Sequence, residues 1–193
     1  TGGMTRALSF RNCIWTGSEK SKIIIKKYQN INFYHCKFIN IFNANKFLIL
    51  LHLSKIVYFK NCVFHNISSA LLKCWYMNTI CINNIDVRNI WLLHHYAEKG
   101  LFRFVDDINI CIQNSDFTQL LGGSAVTIGR VTLAKLFKPQ LSVINAVLVN
   151  NTSVHKGSSL RVENIFISEI VDFFLTRHRE EEAFLLQISC IYR

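Results

Sequence analysis

The chain has 193 residues, a formal charge of +10, and 50% hydrophobic against 18% charged residues. That length suffices for one domain with a substantial core, or for a run of repeats. One proline, eight glycines and no apolar run near the roughly 18 residues of a membrane helix exclude a long disordered linker and a transmembrane helix.

The opening residues, Thr1-Gly2-Gly3, do not read as an initiation sequence, so a mature form or a fragment of a longer chain is expected. From Leu8 onward one pattern recurs. It reads apolar, any, apolar, any, Asn, small or Cys, any, aromatic, any, Asn. Its copies begin at Leu8-Phe10-Asn12-Cys13-Trp15, with Gly17 in the last place, and at Ile31-Phe33-His35-Cys36-Phe38-Asn40. They continue as Val57-Phe59-Asn61-Cys62-Phe64-Asn66, Ile80-Ile82-Asn84-Ile85-Val87-Asn89 and Ile110-Ile112-Asn114-Ser115-Phe117-Gln119. A sixth copy is Leu141-Val143-Asn145-Ala146-Leu148-Asn150, and a degenerate seventh runs Ile165, Ile167, Glu169, Ile170. Starts fall about 23 to 31 residues apart, in the range of solenoid repeats.

Alternation of period two puts Val57 and Phe59 on one face of a strand. The Asn-small step shifts the phase, and Cys62 and Phe64 take up the alternation again. A one-residue slip would turn the apolar face outward unless the chain bends there. A corner is therefore predicted at each Asn, a residue that tolerates left-handed backbone geometry. Further strand signals follow each copy, as in Phe47-Ile49-Leu51, Leu71-Cys74, Leu101-Phe104, Ala125-Val126-Ile128 and Leu160-Val162. Each coil thus offers two or three short strands, and stacking pairs each strand with its equivalents in the neighbouring coils.

These residues resemble the right-handed parallel β-helix, or pectate-lyase-like, superfamily over most of residues 8 to 170. The segments Phe38-Ile39-Asn40, Phe64-His65-Asn66 and Gly122-Gly123-Ser124-Ala125-Val126 resemble short repeats of polymorphic outer-membrane adhesins, with the aromatic-to-Asn spacing one residue shorter and a Ser inserted after the glycines. The resemblance implies an all-β solenoid of six to seven coils filling residues 1–193 as a single domain. The coils span about 8–172, and 173–193 form an irregular charged loop with a closing strand. It also implies a structural ladder of Asn12, Asn61, Asn84, Asn114 and Asn145, with His35 substituting once, beside a core column of Cys13, Cys36 and Cys62. A leucine-rich repeat is the competing fold, since Leu8-x-Phe10-x-x-Cys13 fits its core motif.

No C-x-x-C occurs among the seven cysteines, so zinc-ribbon and thioredoxin-like readings have no support. Asn66, Asn150 and Asn151 head glycosylation sequons. His94-His95 would point to opposite faces of a strand and so would not ligate one metal. Cleavage of acidic polysaccharides, an activity of many β-helix proteins, needs converging carboxylates, or carboxylates with a basic residue. Asp106-Asp107 lacks the companion segments of the polygalacturonases. Asp86 and Arg88, with Asp116, are the best lyase candidates, although Asp86 falls between core positions where a solvent-facing salt pair is the plainer expectation.

The sequence therefore predicts no catalytic residue, cofactor or metal. It predicts a non-enzymatic structural or interaction solenoid, a surface or adhesin-type segment, with a carbohydrate-active or glycan-binding β-helix as the alternative. Its expected partners are proteins or glycans, with end-to-end or lateral self-association at open coil edges. The basic charge, densest at Lys20, Lys22, Lys26 and Lys27, adds polyanions; the compartment is left open, with an extracellular or cell-surface setting favoured.

Overall fold

The structure, a computed structural model, describes residues 5–17, 22–42, 47–92, 101–105, 109–121, 126–128, 140–149, 160–162 and 166–176. The features expected at Lys20, His94-His95, Asp106-Asp107, 122–125, Asn150, Asn151, Cys190 and 177–193 lie outside these residues.

Three strands make each of the first four circuits. The first holds β1 (Thr5–Arg11), β2 (Ile14–Gly17) and β3 (Ile23–Lys26). The second holds β4 (Tyr28–Tyr34), β5 (Lys37–Ile41) and β6 (Phe47–His52). The third holds β7 (Ile56–Lys60), β8 (Val63–Ile67) and β9 (Ala70–Trp75), and the fourth β10 (Thr79–Asn83), β11 (Asp86–Trp91) and β12 (Phe102–Val105). Then β13 (Asn109–Leu121) runs through the first corner as one long strand, followed by β14 (Val126–Ile128), β15 (Gln140–Val149), β16 (Leu160–Val162) and β17 (Phe166–Thr176).

Equivalent strands pair in parallel. An 11-stranded sheet carries the arms before and after the first corner, and a 6-stranded sheet, β16-β14-β12-β9-β6-β3, closes the remaining side. The chain is thus an all-β parallel solenoid. Four turns separate β1 from β13, and the register carries on through β15 and β17. No helix occurs among the described residues. Three strands per circuit set this fold apart from the leucine-rich repeat, which has one strand per unit.

The corners work because the backbone ladder barely breaks. Asn12, His35, Asn61, Asn84, Asn114 and Asn145 all have φ between 48° and 56°. There the amide of Asn61 still donates to the carbonyl of Asn83 in the next circuit, and Val63 N–H donates to Cys36 O in the previous one. A second set of left-handed residues, Asn40, Asn66, Asn89 and Gln119, turns the chain at the far end of the second arm. A third set, Lys27, Leu53 and Tyr76, turns it out of the six-stranded sheet.

Inward positions stack like on like. The rings of Phe10, Phe33 and Phe59 lie 4.9 and 4.6 Å apart, and those of Trp15, Phe38 and Phe64 lie 4.5 and 4.7 Å apart. Those separations are close to the spacing of paired strands, ~4.8 Å, so register alone brings the rings into contact. Phe33, Phe38, Phe59 and Phe64 are fully buried while Phe10 and Trp15 are partly covered; full burial of such a ring contributes about 1.5–3 kcal/mol, and stacking adds about 0.5–1.5 kcal/mol.

The degenerate seventh copy is corrected by the register. Glu169 does not take the ladder position but pairs with Ser142, because a bulge between Leu141 and Ser142 accommodates an extra residue in β17. Ile144 pairs with Val171 and Ala146 with Phe173, so Asp172 falls opposite Asn145. The paired strand β17 spans Phe166–Thr176.

Candidate functional site

Two ladders of polar side chains run along the corners. In the first, Asn84 Nδ2 donates to Asn61 Oδ1 at 2.8 Å and Asn145 Nδ2 donates to Asn114 Oδ1 at 2.9 Å. His35 stands in the same file, with Nε2 3.3 Å from Asn61 Nδ2. In the second, Asn89 donates to Asn66 and Asn66 to Asn40, each at 3.1 Å. The repeat pattern marks this second file, although its ladder bonding is predicted only for the first. The signal was present in the pattern's closing Asn. The Asn66 amide, heading a sequon, is thus already engaged on both sides.

Behind the first ladder, Cys36 and Cys62 are buried and Cys13 is partly covered. Each thiol approaches a carbonyl two residues back, at 3.4 to 3.5 Å. Ser115, two file positions beyond Cys62 with Ile85 between them, makes the same bond to Gln113 O at 2.7 Å. Burial pushes the Cys36 thiol up and the Cys62 thiol up to about 12, so neither is an available nucleophile near neutral pH. None of the described cysteines is in a disulfide.

The residues weighed for polysaccharide cleavage do come together. Asp86 and Asp116 are register partners on β11 and β13, and Arg88 stands two residues beyond Asp86 on the same outer face. Arg88 Nε donates to Asp86 Oδ1 at 2.6 Å, and His65 Nε2 lies 3.1 Å from Asp86 Oδ2. The arginine is 51% exposed and so solvated. Asp86 is thereby committed to two basic neighbours on an open strand face. Among the described residues, no group of three or more His, Cys, Asp or Glu side chains is placed to hold a metal ion.

A different face has a one-sided charge. The strands of the six-stranded sheet contain Lys26, His52, Lys73, Arg103 and Arg161 and no Asp or Glu. Alternation turns Ile25, Leu51, Cys74 and Phe104 into the core, which sends Lys26, His52, Lys73, Trp75 and Arg103 outward. Lys26, His52 and Trp75 follow one another in a single file, and Lys73 and Arg103 are neighbours in the next. Lys73 Nζ sits 3.2 Å from the centre of the Trp75 ring, a cation–π contact, while His52 lies 5.9 Å from both Trp75 and Tyr76. Trp75 and Tyr76 are 37% and 42% exposed. Partial burial, then the charges of Lys26 and Lys27, hold the His52 pKa below its ordinary 6.5.

The corner bordering this face is also the costly one. Asn accepts left-handed geometry readily, but Lys27, Leu53 and Tyr76 are not small or Asn-like, and such conformations cost roughly 1–3 kcal/mol each. From the sequence, only the cluster of Lys20, Lys22, Lys26 and Lys27 signals a basic surface here, and Lys20 lies outside the described residues. Lys73 and Arg103 are 30 residues apart in sequence and become neighbours only through stacking.

Comparison of the chain with protein-family models, with curated proteins and with solved structures returned no match.

Proposed function

We propose that this chain is a non-enzymatic interaction solenoid, and that the outer face of its six-stranded sheet receives an extended anionic glycan. The observation that carries the reading is the absence of any acidic residue from the strands of that sheet, beside outward Lys26, Lys73, Arg103 and Trp75. Basic side chains spaced by the strand repeat suit a polymer whose charges also repeat. Exposed aromatic rings suit the apolar face of a sugar. The sequence resemblance to the right-handed pectate-lyase-like superfamily favours glycan over nucleic acid, and a surface or adhesin-type setting would bring the chain to such polymers.

The test is binding to heparin, polygalacturonate and single-stranded DNA at several salt concentrations. Heparin or polygalacturonate binding should weaken on the order of 100-fold between 50 and 200 mM salt if about four cations are engaged. Lys73→Glu with Arg103→Glu should abolish it. Binding preferentially to DNA, or glycan binding that survives the double reversal, overturns the reading.

A second reading, polysaccharide cleavage, is favoured by one observation: Asp86, Asp116 and Arg88 share one outer face. Release of unsaturated or reducing sugar ends from polygalacturonate, lost in Arg88→Ala, would establish it in place of the first.

A further inference from the structure

Cys81 and Cys111 are register partners on neighbouring parallel strands, β10 and β13. Both alternate with core residues, Ile80 and Ile82 in one strand and Ile110 and Ile112 in the other, so both thiols stand on the outer face and both are partly exposed. They are the one pair of cysteines stacked in this way on an outer face among the described residues. Tyr58 precedes Cys81 in the file and Ser142 follows Cys111.

Neighbouring strands are held ~4.7–4.9 Å apart, and parallel register points both side chains the same way. Cα atoms at that spacing are within disulfide range, but parallel side chains keep the Cβ atoms about as far apart, beyond the roughly 3.5–4.5 Å a disulfide needs. Two metal–sulfur bonds of about 2.3 Å laid end to end span nearly the strand spacing. The pair is thus spaced for a bridging ion in linear two-coordination rather than for direct oxidation. Thiolates select soft ions, and the d10 ion that accepts two sulfurs in a line is a monovalent one of the Cu(I) type. With two donors in place, tetrahedral zinc lacks half of its ligands.

We propose that Cys81 and Cys111 form a two-thiolate site for a soft monovalent cation, Cu(I). Binding forms two metal–sulfur bonds, and each thiol releases its proton to solvent. No electron is transferred, because the ion arrives already reduced. Burial first, and the neighbouring Cys111 second, push the Cys81 thiol up. A cation between the two thiolates removes their mutual repulsion. The outer face leaves the sulfurs within reach of solvent, so an ion can enter without unfolding the sheet. This site is independent of the basic face, which lies on the other sheet.

The test uses the whole chain, reduced and kept anaerobic, in competition with a chromogenic Cu(I) chelator, with Cu(I) as the only added metal. All variants carry Cys190→Ser. The chain should withdraw one equivalent of Cu(I). Cys81→Ser and Cys111→Ser should each weaken binding by more than about 100-fold, since even the loss of a supporting hydrogen bond at a metal site costs 10- to 100-fold. Cys13→Ser should not weaken it. Serine already stands in this file at position 142, so the substitutions suit the strand. Independently of any variant, Cu(I) should protect both Cys81 and Cys111 of the wild-type chain from alkylation, read by peptide mass spectrometry. Unchanged Cu(I) affinity in either single variant, or protection of only one of the two thiols, overturns the proposal.

Discussion

Asn84 lies directly over Asn61 in the neighbouring circuit, its Nδ2 donating to Asn61 Oδ1 at 2.8 Å while both residues hold left-handed backbone angles. One residue type thus meets two demands of a stacked corner, the backbone turn and a polar bond along the axis. The two contributions separate by substitution. Asn61→Gly keeps the turn and loses the ladder bonds, each worth about 0.5–1.5 kcal/mol. Asn61→Ala also bears the left-handed cost of about 1–2 kcal/mol. Urea unfolding should place the alanine variant below the glycine variant by about 1 kcal/mol. Equal stability of the two would remove the backbone half of this account.

Core stacking predicts a steep size dependence at Phe33, which contacts rings both above and below. Phe33→Ala should cost about 3–5 kcal/mol in unfolding free energy. Phe33→Leu should cost clearly less, because it refills most of the volume. The measurement is a denaturant titration of both variants.

Burial of Cys62 predicts a silent thiol. Alkylation needs the thiolate, and a pKa of about 12 leaves little of it at pH 8. Iodoacetamide should modify Cys62 far more slowly than it modifies Cys13 in the folded chain, and at comparable rates in denaturant. Cys62→Ser should fold, since Ser115 fills the same file position with its hydroxyl bonded to Gln113 O.

Because the His52 pKa is depressed, the folded chain takes up that proton less readily than the unfolded one. The associated stability is present above the unfolded value of 6.5 and is lost as pH falls through the folded value. His52→Gln should remove this part of the acid sensitivity. An anion on the basic face reverses the local field, so heparin should raise the His52 midpoint in an NMR titration. A midpoint unmoved at saturating heparin would place the ligand elsewhere.

At the third corner, stability and binding should part company. Tyr76→Asn relieves a left-handed tyrosine and should leave stability equal or higher, by up to about 1 kcal/mol. The same change removes an exposed ring from the basic face and should weaken heparin binding severalfold. Calorimetric melting and a binding titration on one preparation check both halves.

The sequence alone specified the stacked strands and their first corner. Period-two alternation and the recurring Asn are local signals, and a phase slip between Phe59 and Cys62 has few solutions other than a bend. Where the marker residue was missing, as around Glu169, a bulge shifted the register unseen. The lateral neighbourhoods were decided only by the tertiary structure. Lys73 meets Arg103, Cys81 meets Cys111 and Asp86 meets Asp116 because inter-coil segments of unequal length still return each strand to the same place. A linear sequence shows which residues face outward. Which of them touch depends on how much chain each circuit consumes, and that is settled by closing the coil.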